Sequence, residues 1–483
     1  MMLFKLVDKG IGLVSTLILA RLLAPSDFGL VAMAMAVVAF TQLMSAFGFD
    51  SALIQRKDAT SQHFNTAWTF NVIFGVLIAA SLVCLAWPMA AFYRDPRLTS
   101  VILVLAISAL VGGFENIGVV AFRKELDFRN EFKFLLSKRI VGFVVTITCA
   151  FAFRNHWALV IGVVISRVLA VGISYRLHPY RPKLTLAARG ELMHFSRWIF
   201  LSNFIGFVGG RCTDFILGRT VGAYGLGVYA ISYEIATMPS TELIAPVNRA
   251  VYPAYAKLAG EGGNHLQLRF LQVFGIICFL AIPMSAGLFA AADPFVRVIL
   301  GSQWLEAIVI IKIFAICGLV GALQSNMYLV LVALGKPKAN TVLTAILALI
   351  TMPVVVWSSL NFGVTGASYA MLLQALVAMA GIWINFLVHT KYPGRQIAKL
   401  MFRPLLASVS MAAAMTVMDK ALIDASSSPG ARLAVLVTSG AVIYLTLVFA
   451  AWRAAGKPTS AEFHVVEFVR ERVAKLLLSR AGT

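Results

Sequence analysis

Apolar residues run through this chain in blocks of about 20, the length a helix needs to cross a bilayer. Short breaks rich in Gly, Pro and charge separate the blocks. The pattern predicts fourteen transmembrane helices, at 3–23, 29–48, 66–92, 98–121, 134–153, 157–176, 198–221, 227–250, 268–292, 304–334, 338–359, 363–389, 404–422 and 431–452. Successive loops then alternate sides, and Lys and Arg should collect on the cytoplasmic set. Of 41 Lys and Arg residues, 30 fall at the N-terminal end, in the even-numbered loops and in the tail; 8 fall in the odd-numbered loops, and 3 (Arg167, Arg211 and Lys312) fall within spans. Both termini are therefore expected on the cytoplasmic side.

The chain also repeats itself. Residues 18–32, ILARLLAPSDFGLVA, align without gaps on residues 216–230, ILGRTVGAYGLGVYA, at an offset of 198. Asn155-His156-Trp157-Ala158 and Asn361-Phe362-Gly363-Val364 give a weaker second match. Six predicted helices separate the copies of the longer motif, so the repeats run parallel, related by an axis along the membrane normal, as in transporters built from two similar bundles. The expected fold class is an all-α polytopic membrane protein with two parallel six-helix repeats and two extra C-terminal helices. The domains are then 1–197 with its cytoplasmic connector, 198–402, helices thirteen and fourteen in 403–455, and a tail over 456–483. In the tail, apolar residues on one face of 463–477 predict an amphipathic helix on the membrane surface.

Composition narrows the function. Of 483 residues, 60% are hydrophobic and 13% charged, and the mean hydropathy is +0.86; soluble proteins carry about 25% charged residues. No polar stretch is long enough for an appended catalytic domain. The net charge of +20 lies in loops between spans rather than on a soluble face, which argues against nucleic acid. The five cysteines lie in apolar segments without CxxC spacing, and the seven histidines are scattered. Neither metal nor cofactor is expected. The absence of a GxxxxGK[ST] motif argues against ATP hydrolysis.

Leu19-Ala20-Arg21-Leu22-Leu23-Ala24-Pro25-Ser26-Asp27-Phe28-Gly29-Leu30, followed by Gly48-Phe49-Asp50-Ser51-Ala52-Leu53-Ile54-Gln55, resembles the polysaccharide-transporter branch of the multidrug/oligosaccharidyl-lipid/polysaccharide exporter superfamily. Arg211-Cys212-Thr213-Asp214, Gly225-Leu226-Gly227-Val228-Tyr229, Gly301-Ser302-Gln303-Trp304 and Leu334-Gly335-Lys336-Pro337 are similar to later segments of that branch, and the likeness covers most of residues 1 to about 400. Members usually carry more residues ahead of the first helix. The resemblance implies a bacterial inner-membrane flippase, not an enzyme, that exports undecaprenyl-pyrophosphate-linked oligosaccharide by alternating access. Its expected partners are the lipid-linked oligosaccharide, membrane lipids and a polysaccharide polymerase machinery. A cation-coupled multidrug exporter of the same superfamily is the alternative, and a membrane glycan polymerase a more distant one.

Charge at membrane depth is costly and usually faces a cavity or a partner. Asn203, Phe207, Gly210, Arg211, Asp214 and Gly218 share one helical stripe, so Arg211 and Asp214 form either a packing ion pair or a cavity-facing site for an anionic head group. Arg167 is the other deep cation. Lys9, Arg56 and Arg249 are expected to line a basic cytoplasmic mouth, the chemistry that suits a pyrophosphate. Glu115 and Lys312 lie nearer span ends, where snorkelling is expected.

Overall fold

The computed structural model describes residues 2–458 apart from 46, 47, 57, 262 and 263, together with 462, 463 and 467; within this range the side chains of residues 2–6, 9, 51, 191–206, 208–211, 337, 339 and 348 are outside the description. Every described element is helical. In chain order the α-helices are α1 (Met2–Leu22), α2 (Pro25–Gln42), α3 (Phe49–Gln55), α4 (Ser61–Tyr93), α5 (Arg97–Gly113), α6 (Val119–Lys124), α7 (Phe128–Phe153), α8 (Trp157–Leu177), α9 (Arg189–Met238), α10 (Ala245–Glu261), α11 (His265–Ala290), α12 (Ala292–Phe295), α13 (Ala307–Ala333), α14 (Pro337–Thr390), α15 (Gly394–Asp424) and α16 (Pro429–Ala454).

Among the described residues nine helices are long and apolar enough to cross a membrane, and Gly10–Leu22 and Arg97–Gly113 are shorter apolar helices. Two very long helices are each interrupted by one glycine. Gly222 in α9 has φ +72° and Gly363 in α14 has φ +61°, a region that only glycine occupies cheaply. Gly222 lies in the short break that the hydrophobic pattern places between helices seven and eight, and Gly363 is the first residue of predicted helix twelve. The expected amphipathic tail lies outside the described residues except for 463 and 467. Just before it, Glu462 is buried and pairs with Arg403 of α15 at 3.6 Å.

Contacts divide the chain into two units: residues 1–230 with 355–364, and residues 231–354 with 365–483. In the first, α4 packs closely along α5 because Gly75 and Gly113 bring the two backbones together; a Cβ on Gly113 would lie 2.8 Å from the Asn71 carbonyl. In the second, Phe270, Phe274, Phe386 and Met327 form a fully buried core among α11, α13 and α14. At another corner of this unit, Tyr444 of α16 donates a 2.8 Å hydrogen bond to the Phe279 carbonyl of α11.

Candidate functional site

In the first unit a long apolar run breaks after Gly113, and the break builds a polar site. The α5 helix stops there, and α6 starts at Val119. Asn116 sits fully buried in between. Its backbone N–H donates to Ser174 Oγ of α8 at 3.0 Å, its side-chain amide donates to the Tyr180 carbonyl at 2.8 Å, and its Oδ1 accepts from the Gly118 N–H at 2.9 Å. The side chain thus satisfies the Gly118 N–H that the broken helix frees and ties the break to the connector after α8. The break turns Glu115 inward.

Glu115 is shared by two cations. Its Oε2 lies 3.2 Å from Lys138 Nζ of α7 and 3.5 Å from Arg167 Nη1 of α8. Arg167 lines a cavity of about 410 Å³ with Gln42, Asn71, Ser108 and Gly112. Gly112 leaves room for the guanidinium, since a Cβ there would come within 3.3 Å of Arg167 Nε. Glu115 lines an adjoining cavity of about 460 Å³ with Asp50, Asn116 and Arg123, and the two cavities have Ser45, Asn71 and Gly112 in common.

The short helix α3 brings Asp50 to this place. Gly48, at φ +65°, caps its start, and Phe49 stacks on Phe70 of α4 with ring centroids 4.8 Å apart, anchoring the helix. Enclosure by protein pushes the Asp50 carboxyl above the ordinary carboxylate value; the charge of Arg123 opposes that rise, and Glu115 adds to it. Arg123 in turn holds buried Glu131 at 2.8 Å. Three cations (Arg123, Lys138 and Arg167) therefore face Glu115, Glu131 and an Asp50 that keeps its proton longer than usual. Protonating Asp50 leaves the cluster one positive charge in excess, which suits an anion presenting several oxygens.

The residues matched by sequence profile decide the family. Residues 18–309 match the family described as polysaccharide biosynthesis protein. The chain belongs to that family. Among its relatives, the lipopolysaccharide biosynthesis protein WzxC of Escherichia coli (strain K12) is 23% identical over 76% of this chain and 75% of its own length. The succinoglycan biosynthesis transport protein ExoT of Rhizobium meliloti (strain 1021) is 24% identical over 64% of this chain and 62% of its own. The fold is that of the lipid II flippase MurJ in an inward closed conformation, with TM-score 0.75 and 12% identity over 94% of this chain and 98% of that one. An inward-facing multidrug resistance MATE family transporter of the MOP superfamily has TM-score 0.60 and 14% identity over 81% and 95% of the two chains.

Of the expected site residues with described side chains, Arg56 and Asp214 do not line the two cavities beside Glu115. Arg167 lines the cavity. The side chains of Arg211 and Lys9 lie outside the described residues. Asp214 is half-buried on α9, where its neighbour Phe215 stacks on Tyr93 of α4. Arg56 ends α3, pairs with Asp58 at 3.0 Å and lends its carbonyl to Lys124 Nζ at 2.9 Å. Arg249 is exposed in the second unit and donates to the Ala245 carbonyl of its own helix.

Sequence reasoning misplaced Glu115. The expectation that it snorkels from a span running to residue 121 is corrected by the helix break, which aims it at Lys138 and Arg167 instead. Asp50 and Lys138 were passed over as candidate site groups. The signals were present in Gly112-Gly113 and in Asn116-Ile117-Gly118, a cluster that favours a break.

Proposed function

We propose that this protein is a flippase that carries a lipid-linked oligosaccharide across the bacterial inner membrane, with both termini in the cytoplasm. The pairing of Glu115 with Lys138 and Arg167 carries the reading. Two cations converge there on a single carboxylate beside cavities totalling several hundred Å³, within the ~300–1,000 Å³ range of small-ligand sites. An incoming pyrophosphate competes with Glu115 for both cations, and Glu115 recaptures them when the head group leaves. In the empty site Glu115 keeps both cations paired, which lowers the cost of holding charge at membrane depth. The prenyl chain stays in lipid, where transfer costs nothing.

The names of relatives support this reading, because WzxC and ExoT are named for polysaccharide biosynthesis and transport. The same geometry disfavours a cationic drug as cargo, since Glu115 already faces two cations. Transport without bond chemistry fits an anion site built from ion pairs, and the polymerase machinery expected as a partner would consume the exported product.

The test is flipping of a fluorescent undecaprenyl-pyrophosphate-linked oligosaccharide in proteoliposomes. Acceleration over empty vesicles is expected, and growth protection against cationic dyes without any flipping would reverse the choice of cargo.

A further inference from the structure

The second unit contains a cavity of about 480 Å³ that the anion site does not use. None of the residues lining it is Asp, Glu, Lys, Arg or His; its polar groups are hydroxyls, carboxamides and the Cys317 thiol. Such a lining offers nothing to neutralise a pyrophosphate or an organic cation. Most of its hydroxyls donate to backbone carbonyls within the protein, so their lone pairs and the carboxamide oxygens are left to accept, which suits a neutral ligand rich in hydroxyl donors.

Three walls build this lining. At the end of α9 the helix widens into a π-helical turn over Pro239–Ile244, where Pro239 cannot donate to the helical ladder. The turn places Ser240 against α13, and its hydroxyl donates to the Gly318 carbonyl. Such turns recur at functional sites. On α13, Gly318, Gly321, Gln324 and Ser325 follow at helical spacing along one face. A Cβ on Gly321 would meet nothing within 4 Å, so that face opens on space. On α14, Thr344 and Gln374 complete the lining.

The polar groups are held in place before any ligand arrives. Gln324 Nε2 donates across to the Ala375 carbonyl of α14 at 2.9 Å. Ser325 Oγ accepts from Asn248 Nδ2 at 2.8 Å and donates to the Ala322 carbonyl at 2.7 Å. Tyr233 and Phe314 meet edge to face, with ring centroids 5.3 Å apart and planes at 88°, and give the cavity an aromatic wall. Ring faces of this kind pack against the C–H side of a sugar, while hydroxyls and amides take its edge.

We propose that this cavity is a subsite for an uncharged sugar residue of the transported oligosaccharide. The inference rests on the flippase reading for its cargo and names the part of the cargo that the cationic cluster cannot recognise. A site built to hydrogen-bond hydroxyls discriminates strongly, because a ligand lacking them leaves protein groups unpaired.

The test uses the full-length Thr344→Cys protein with Cys317→Ser, which removes the native thiol of the cavity, in detergent, with N-ethylmaleimide modification at position 344 followed by peptide mass spectrometry. The probes are maltotriose, mannotriose and triacetylchitotriose, with inorganic pyrophosphate as the charged control. At least one trisaccharide is expected to slow modification saturably, and pyrophosphate is not. Gln374→Leu in that background should raise the half-protecting concentration roughly tenfold, and Gln324→Leu should do the same. Unchanged melting temperatures show that each variant folds.

Equal protection by pyrophosphate, or none by any trisaccharide, overturns the subsite. Flipping by the same preparation separates the two claims. Protection without flipping removes the flippase reading and leaves a saccharide site; flipping without protection does the reverse.

Discussion

Gly29 of α2 and Gly227 of α9 pack against each other reciprocally. A Cβ on Gly29 would strike the Ala223 carbonyl and the Gly227 nitrogen, and a Cβ on Gly227 would strike the Pro25 carbonyl and the Gly29 nitrogen. The two glycines are equivalent positions of the internal repeat at its offset of 198, and so are Pro25 and Ala223. A local two-fold axis therefore passes between them.

Backbone carbonyls cannot swing aside as side chains do, so any side chain at this crossing must part the helices. Gly29→Val or Gly227→Val is expected to lower the melting temperature of the purified protein, with a loss of at least ~1–3 kcal/mol from overpacking. Gly260→Ala, at an exposed position where a Cβ meets nothing within 4 Å, serves as the control. Equal melting of all three variants would contradict the crossing.

The shared carboxylate makes a functional prediction. Arg167→Gln should slow flipping about tenfold or more, the scale of a lost charge-assisted hydrogen bond. Arg167→Lys should recover part of the rate, because it keeps the charge and loses the fork. Glu115→Gln removes two partly exposed ion pairs and should cost at most ~2 kcal/mol of stability, up to ~1 for each pair, while cargo binds more tightly and leaves more slowly. Single-turnover flipping and thermal unfolding measured on the same preparations separate these effects. A rate for Arg167→Gln matching the unsubstituted protein would remove this residue from the mechanism.

Much of this was legible in the sequence, for reasons that differ by element. The spans follow from hydropathy because lipid forces every backbone polar group to be satisfied within the segment. The repeat was visible as Leu19-Ala20-Arg21 against Leu217-Gly218-Arg219, although nothing in it announced that its glycines touch. The cationic site was half legible. Arg167 stood out as a charge inside a span, whereas Glu115 was hidden by a run that reads as one continuous helix. Its partner Lys138 was indistinguishable from the topological positive charges around it. Arg249 and Arg56 drew attention by position alone, and each makes a local bond, to the Ala245 carbonyl and to Asp58.

Asp50 predicts a pH dependence. Its carboxyl is raised by enclosure, and the charged groups around it are Arg123 on α6, Glu115 at the helix break and, one step further, Glu131, Lys138 and Arg167. The folded protein holds this proton more tightly than the unfolded chain. Its stabilising contribution is therefore complete below the unfolded value of 3.8 and declines as pH rises from there through the raised value. Anion binding should follow the same direction, strengthening as acidification neutralises Asp50. Asp50→Asn should bind pyrophosphate more tightly at neutral pH and flatten the acid side of the profile. Calorimetric titration of both proteins from the unfolded value of 3.8 up to neutral pH checks this, and parallel profiles would exclude Asp50 as the titrating group.

In the second unit one arginine ties three helices together. Arg432 of α16 donates from Nε and Nη2 to the two carboxylate oxygens of Asp419 on α15, each at 2.9 Å. Its Nη2 also donates to Asp293 of α12 at 2.8 Å, and its side chain is 8% exposed. Hydropathy reads this residue only as one of the few cations on the non-cytoplasmic side. Removing one partner of a buried ion pair strands the others, at a cost of about 3–5 kcal/mol, so Arg432→Met should be the most damaging change. The two carboxylates are not equal, because Asp293 retains Arg297 at 2.9 Å while Asp419 makes both of its contacts here to Arg432. Asp419→Asn should therefore destabilise more than Asp293→Asn. Thermal unfolding in detergent is expected to rank the three variants in that order, and a larger loss for Asp293→Asn than for Asp419→Asn would show that α12, rather than α15, depends on the arginine.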